Sequence, residues 1–142
     1  MNESQQHTSL AEACSTFFVY LTSFRRNAAT SRLSQEGLRA ALKRELERVR
    51  TRCEQDRRLH PMFERIWYAL VATADQAVLG SDWPGRRGWS MSLLEMDYFQ
   101  TAEGGRRFFV FVQEVLDDPS ESAHELAELL FQCMALGFQG EL

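Results

Sequence analysis

The sequence contains few of the residues from which catalytic and metal-binding motifs are built. Its 142 residues include three histidines and three cysteines. The histidines His7, His60 and His124 are scattered along the chain, and neither C-x-x-C nor G-x-S-x-G occurs. Nucleophilic catalysis is therefore not indicated. An odd number of widely spaced cysteines favours reduced, packed thiols over a disulfide framework.

The sequence also lacks a long uncharged apolar run. The best stretch, Ile66 to Leu79, is interrupted by Asp75 and Gln76, so no transmembrane helix is predicted. The first ten residues, MNESQQHTSL, have neither a basic segment nor an apolar core, so no signal peptide is predicted. The net charge of −4 is mild and does not by itself indicate a nucleic-acid or membrane partner. We expect a soluble, cytoplasmic protein.

Apolar residues recur at three- and four-residue spacing along most of the chain, which predicts amphipathic helices and no strand. The predicted helices cover about residues 9–26, 35–58, 60–79, 92–99, 106–118 and 122–138. The fold class is therefore all-α. The length suits a single domain, and no repeat or linker divides the chain, so we expect one helical domain over residues 1–142.

Three predicted helices begin with residues that favour N-caps. Ser34 is the predicted cap of the helix from residue 35. Ser92 with Glu95, and Ser122 with Glu125, have the spacing of capping boxes. At the opposite end of the 60–79 helix, Gly80 stands where a terminal glycine is common.

Three aromatic residues are predicted to belong to the core, because Trp67, Phe109 and Phe131 lie on apolar helix faces. Replacing any of them by alanine should cost roughly 3–5 kcal/mol if it is buried.

Asp75 lies at the margin of the apolar face of its helix. A carboxylate in that position needs hydrogen-bond donors. We predict that Asp75 accepts hydrogen bonds from backbone N–H groups or from the indole of Trp83 or Trp89. The alternative role is that of a general base.

The stretch GSDWPGRRGW, residues 80–89, approaches the spacing of a phosphate-binding loop, with Gly80 and Gly85 separated by four residues. A true phosphate loop continues with Lys and Ser or Thr and opens a helix after a strand. Here Arg86 and Arg87 follow, and the segment comes after a predicted helix, whose C-terminal end repels anions. We interpret the stretch as a stiff Pro-Gly turn anchored by tryptophans.

Two further patterns are weak indications of a metal site and of a nucleic-acid-binding helix. HELAE, His124–Glu128, resembles half of a zinc-protease helix but lacks the second histidine, so no metal site is predicted. Between Arg39 and Arg58 lie eight of the sixteen Lys and Arg residues, and none follows Arg107. Because acidic residues interleave with these cations, the basic helix is interpreted as a solvated, ion-paired face.

The second half of the chain resembles the cytoplasmic domain of the DotU/IcmH/TssL family, inner-membrane-complex proteins of bacterial type VI secretion with relatives in type IVB systems. The resemblance runs from about Tyr68 to Gly140, through YALVATADQAVLGSDW, GWSMSLLEMDYFQTAEGGRRFF and LLFQCMALGFQG. The positions that carry it are Tyr68, Ala69, Leu70, Asp75, Trp83, Trp89, Phe99, Thr101, Gly105, Phe108, Phe109, Met134, Leu136, Gly137, Phe138 and Gly140.

The resemblance implies two small three-helix bundles in a hook-like arrangement, with no catalysis, cofactor or metal. The implied partners are a TssM/IcmF-like inner-membrane protein and baseplate subunits, at the cytoplasmic face of the bacterial inner membrane. A homodimer is a further option, and no nucleic acid is expected. A C-terminal transmembrane helix normally anchors the family. This sequence ends at Leu142, directly after the last motif, and we expect no anchor within it.

Candidate residues for anchoring the loop or contacting a partner follow from the same resemblance. They are Asp75, Gln76, Trp83, Trp89, Phe99, Thr101, Gly105, Gly137, Phe138 and Gly140. Gln76 replaces the usual glutamate, which we expect to alter a partner contact. Two other functions stay open: a nucleic-acid or regulatory module that uses the basic helix 39–58, and a small hydrolase that uses Asp75 or His124.

Overall fold

The computed structural model describes residues 8–138, and this part of the chain contains eight α-helices, one 3₁₀ helix and no strand. The α-helices are α1 (Leu10–Ala13), α2 (Ser15–Asn27), α3 (Gln35–Glu54), α4 (Leu59–Leu79), α5 (Arg86–Ser90), α6 (Leu94–Phe99), α7 (Gly104–Leu116) and α8 (Ser122–Gly137). The 3₁₀ helix is Ala28–Thr30. The all-α prediction is confirmed.

Helix α4 is the central element, because each of the other seven α-helices packs against it. Its sequence is apolar on nearly every side, which is the pattern of a buried helix. Helices α2, α3 and α4 contact one another, and so do α4, α7 and α8. The fold therefore contains two three-helix groups that share α4.

The buried apolar side chains form one continuous core. Trp83 and Trp89 are among its largest fully buried members, although both lie outside the long helices. Phe108 of α7 stacks on Phe138, with ring centroids 4.1 Å apart. The loop tryptophans and the end of α8 are thus parts of the core.

The structure corrects the prediction that Phe131 is a core residue, because its side chain is 63% exposed. Trp67 and Phe109 are half-buried and pack against the core. The apolar face of α8 is wider than the surface that α4 and α7 cover, and Phe131 lies on the uncovered part.

Capping was predicted correctly at one helix and wrongly at two. The Ser34 hydroxyl accepts a hydrogen bond from the Gly37 N–H at 3.0 Å. Leu93, and not Ser92, has the extended backbone that precedes α6. Ser122 already lies within α8, after a helical Glu121. The two glutamates of the predicted capping boxes bind donors elsewhere in the fold.

Two expectations drawn from composition can be compared with the structure. All three cysteines are buried and unpaired, as predicted. Among the helices of residues 8–138, none combines the length and hydropathy needed to cross a bilayer.

Candidate functional site

Asp75 of α4 is a buried carboxylate with three hydrogen-bond donors. Its side chain is 1% exposed. One oxygen, Oδ1, accepts from the Trp89 indole at 2.9 Å and from the Leu94 N–H at 2.8 Å. The other, Oδ2, accepts from the Glu95 N–H at 2.9 Å. The predicted hydrogen bonds of Asp75 are confirmed, with Trp89 as the indole donor.

Burial raises the pKa of Asp75 to about 6, although the hydrogen bonds from the Glu95 N–H, the Leu94 N–H and the Trp89 indole act in the opposite direction. A carboxylate with a raised pKa is a candidate general base if a substrate can reach it. Here both oxygens face fixed protein donors and the side chain has almost no solvent contact. The arrangement therefore serves to hold the chain from Trp89 to Glu95 against α4.

Glu95 at the start of α6 is a second buried carboxylate that the sequence analysis missed as an anchor. Its Oε2 accepts from the Thr101 hydroxyl and the Glu103 N–H, both at 2.7 Å. Its Oε1 accepts from the Gly104 N–H at 2.8 Å. Burial alone would raise the pKa of Glu95, but these hydrogen bonds outweigh it and the pKa is lowered. Glu95 thereby connects α6 to the start of α7.

Gly104 is the glycine that this connection requires, and the candidate Gly105 follows it as the second residue of α7. The φ of Gly104 is +22°, and it is the one glycine of positive φ in residues 8–138. A Cβ at Gly104 would lie 3.1 Å from the Gln76 side-chain nitrogen. The G-G pair in the sequence was a usable signal, but spacing alone did not show which glycine faces Glu95.

We call residues 80–104 the clamped segment, because Asp75 binds its middle and Glu95 closes its end. A third attachment comes from α3, where Arg39 and Lys43 both pair with Asp97 at 3.0 Å. The Arg39 guanidinium also lies over the Trp89 ring, 4.5 Å from its centroid. These contacts fix the segment from two neighbouring helices.

Gly85 of the GSDWPGRRGW stretch accommodates an indole. A Cβ at Gly85 would come within 2.6 Å of the Trp83 ring. Trp83 is 1% exposed and meets the Phe24 ring edge-on, with centroids 6.0 Å apart. The sequence-based interpretation of a turn anchored by tryptophans agrees with this packing.

Several solvent-facing side chains of the clamped segment lie in or next to its short helices. Met91 is 88% exposed and Met96 is 46% exposed. Arg87 is also exposed. The segment therefore presents apolar and cationic groups on a backbone that α3 and α4 hold in place.

The remaining candidates within residues 8–138 contact different parts of the fold. Phe99 packs on the Tyr68 ring, with centroids 5.1 Å apart. Gly137 allows α8 to approach α4, since a Cβ there would lie 2.9 Å from the Thr73 carbonyl oxygen. Gln76 is half-buried beside Gly104. Gly140 lies outside the described residues.

Several arginines in or near the basic helix α3 form ion pairs with acidic residues of the same chain. Arg48 pairs with Glu45, and Arg50 pairs with Glu47 and lies over the Trp67 ring. Arg58, beyond the end of α3, pairs with Glu125 at 2.7 Å. These contacts fit the predicted ion-paired face.

The two histidines within residues 8–138 do not assemble a reactive site. His124 is exposed on the first turn of α8, and His60 faces Glu64 at 3.4 Å. Across residues 8–138, no group of His, Cys, Asp and Glu side chains has the arrangement of a metal site.

The fold and the site define an all-helical scaffold that holds one connecting segment in a fixed shape. A family model described as type VI secretion system protein DotU matches residues 9–142. The chain belongs to this family, and the resemblance inferred from its second half is confirmed. It is thus a type VI secretion system component. Comparison with curated proteins and with solved structures gave no match.

Proposed function

We propose that the chain is a non-enzymatic adaptor subunit of a type VI secretion membrane complex. It binds baseplate subunits and a TssM/IcmF-like inner-membrane protein, at the cytoplasmic face of the bacterial inner membrane. The observation that carries this proposal is the clamped segment, whose buried carboxylates are occupied in fixing the backbone while Met91 and Arg87 face solvent. Preorganised surfaces lose little conformational entropy on binding, which favours affinity.

A binding assay with surface variants tests the proposal. The purified chain is titrated with baseplate subunits and with the cytoplasmic part of the TssM/IcmF-like protein from the same bacterium. The double variant Met91→Asp, Arg87→Glu should weaken at least one of these complexes by about tenfold or more, as expected when central contacts are removed.

A matched control uses the same chemistry elsewhere on the surface. Val19 is 67% exposed on α2, and Arg32 is exposed before α3. The double variant Val19→Asp, Arg32→Glu should bind as the wild type does. Equal weakening by both double variants, or no binding of any partner by the folded wild type, would reject the proposal.

The nucleic-acid alternative has a separate readout. Binding through the basic helix would fall steeply with salt concentration and would weaken on Arg48→Ala and Arg52→Ala. Because Arg48 pairs with Glu45 and Arg52 donates to the Glu12 carbonyl, we expect flat titrations with DNA and RNA.

A further inference from the structure

An apolar groove lies on the surface between α7 and α8. The side chains that line it are Val112, Val115, Leu116, Ala127, Leu130, Phe131 and Met134. We call this surface the α7–α8 groove. Leu116 is 60% exposed and Phe131 is 63% exposed, although both belong to helix faces whose spacing in the sequence is that of a core. Residues 8–138 therefore leave part of these apolar faces uncovered.

The dimensions of the α7–α8 groove suit a helical partner. Its recess has a volume of about 120 Å³, which approaches the roughly 150 Å³ of a cavity that holds one benzene ring. The lining residues of α8 extend from Ala127 to Met134, about 10 Å along the helix at 1.5 Å per residue. One anchoring side chain and about two turns of a partner helix match these dimensions.

Exposed carboxylates lie beside residues that line the groove. Asp117 directly follows Leu116, and Glu128 lies one turn before Phe131. Both are exposed, and neither has an ion pair within residues 8–138. The sequence has no Lys or Arg after Arg107. A bound partner would therefore meet carboxylates at the edges and apolar side chains at the centre.

We propose that the α7–α8 groove binds an amphipathic helix of a partner protein whose apolar face is flanked by Lys or Arg. Helices bind grooves of this kind through apolar residues at i, i+3 or i+4 and i+7. Cationic flanks complement the carboxylates and thereby fix orientation and partner choice. The proposal is independent of the function proposed above, because no residue of this groove belongs to the clamped segment.

Neither a symmetric second copy nor the basic helix α3 of another copy fits the groove well. Symmetric pairing would bring the same patch of each copy together, and Glu128 and Asp117 would then face like charges. The basic helix α3 offers cations at Arg44, Arg48 and Arg52, but the exposed positions between them are polar. It has no apolar anchor to insert.

The test uses two fluorescein-labelled helical peptides with leucines at i, i+3, i+4 and i+7. One peptide carries lysines at the flanking positions and the other carries glutamates. Each is titrated with the whole 142-residue chain and followed by fluorescence anisotropy. The lysine peptide should bind about tenfold or more tightly than the glutamate peptide, and added salt should reduce this difference.

Surface variants locate the binding. Phe131→Ser and Leu116→Ser should each weaken lysine-peptide binding by about tenfold, while Glu128→Lys should abolish most of the preference for lysine over glutamate. Val19→Ser is the matched control, because Val19 is equally exposed on α2, and it should leave binding unchanged. Circular dichroism identifies any variant that fails to fold. The binding of the folded variants then shows whether the peptide occupies the α7–α8 groove.

Three results would overturn the proposal. They are equal affinity for the two peptides, binding that survives both serine variants of the groove, and an equal loss in the Val19→Ser control. Sedimentation of the wild type without peptide gives a fourth criterion, since a dimer abolished by Phe131→Ser would make a second copy the occupant.

Discussion

At the scale of single residues, Asp75 and Glu95 are both buried carboxylates, but their pKa values shift in opposite directions. Burial dominates at Asp75 and raises its pKa, whereas hydrogen bonds outweigh burial at Glu95 and lower it. The folded state therefore takes up a proton at Asp75 between pH about 6 and 3.8 as the pH falls. Within that window, protonation of Asp75 increases the stability of the folded state as the pH falls. Glu95 has the opposite effect, because its contribution to stability is lost as the pH falls below 4.5.

Replacing Asp75 by asparagine should lower the free energy of unfolding by about 1–3 kcal/mol at neutral pH. The amide oxygen can keep the Trp89 and Leu94 donors, but the amide nitrogen would face the Glu95 N–H, so that two donors oppose each other. Urea denaturation measures the change. Asp82→Asn is the control, because Asp82 is exposed in the same loop, and it should change stability by less than about 0.5 kcal/mol. Equal stabilities of the two variants would contradict the role assigned to Asp75.

At the scale of elements, Glu125 joins three parts of the chain that are distant in sequence. Its carboxylate accepts from the Leu10 N–H at 2.6 Å, at the first residue of α1. It also accepts from the Arg58 guanidinium at 2.7 Å. An anion at a helix start satisfies a free N–H group. The short helix α1 is thereby attached to α8 through a contact that no local pattern shows.

The contribution of Glu125 to stability should depend on pH. The hydrogen bond from Arg58 lowers the pKa of Glu125 below its usual 4.5, so the stabilisation is present above pH 4.5 and is lost as the pH falls through the folded-state pKa. The difference in unfolding free energy between the wild type and Glu125→Gln should be largest at neutral pH and should narrow below 4.5. Urea denaturation over a pH series measures it.

The control for this series is Glu128→Gln, on the same helix. Glu128 is exposed and has no ion pair within the described part of the chain, so the variant should stay within about 0.5 kcal/mol of the wild type. A pH-independent effect at Glu125 would show that its carboxylate charge has no role in attaching α1.

Helices and helix caps were predictable from the sequence where interactions between residues close in the chain determine them. The five long helices α2, α3, α4, α7 and α8 have clear apolar periodicity, and Ser34 has a local capping partner. The capping boxes failed because their glutamates bind donors that lie far along the chain or in a later turn. The short helix α5 was missed, since five residues carry too little periodicity to be recognised.

At the scale of the whole molecule, the three thiols report on the integrity of the core. Cys14, Cys53 and Cys133 are fully buried. Burial raises the thiol pKa of Cys53 to about 11 and that of Cys133 to about 12, and it raises that of Cys14 further. Because the thiolate is the reactive form, native thiols in such surroundings are inert.

We therefore expect all three cysteines to react with a thiol reagent at one common rate, set by global unfolding. Mass spectrometry of partly labelled protein should show molecules with no label or three labels, and the rate should rise with urea. A singly labelled species that accumulates in buffer without denaturant would show that one of the thiols is reached by local opening.

The whole-molecule arrangement was only partly readable in the sequence. The family resemblance and the all-α class were predicted from motifs and periodicity, and Asp75 from its polar position on an apolar face. Phe131 was misplaced because periodicity shows which face is apolar and does not show how much of that face a neighbour covers. Glu95 and Gly104 were missed because their contact depends on how α6 and α7 turn toward each other.

The attachment of the clamped segment also affects which positions tolerate substitution. Asp75 of α4 holds the segment at Trp89 and Glu95, whereas Met91 between them is 88% exposed. Substitutions at Asp75, Trp89 and Glu95 are expected to impair folding, whereas substitutions at Met91 and Arg87 are expected to leave the fold intact and, under the proposed function, to change partner binding. A combinatorial library restricted to these exposed positions should therefore yield folded proteins.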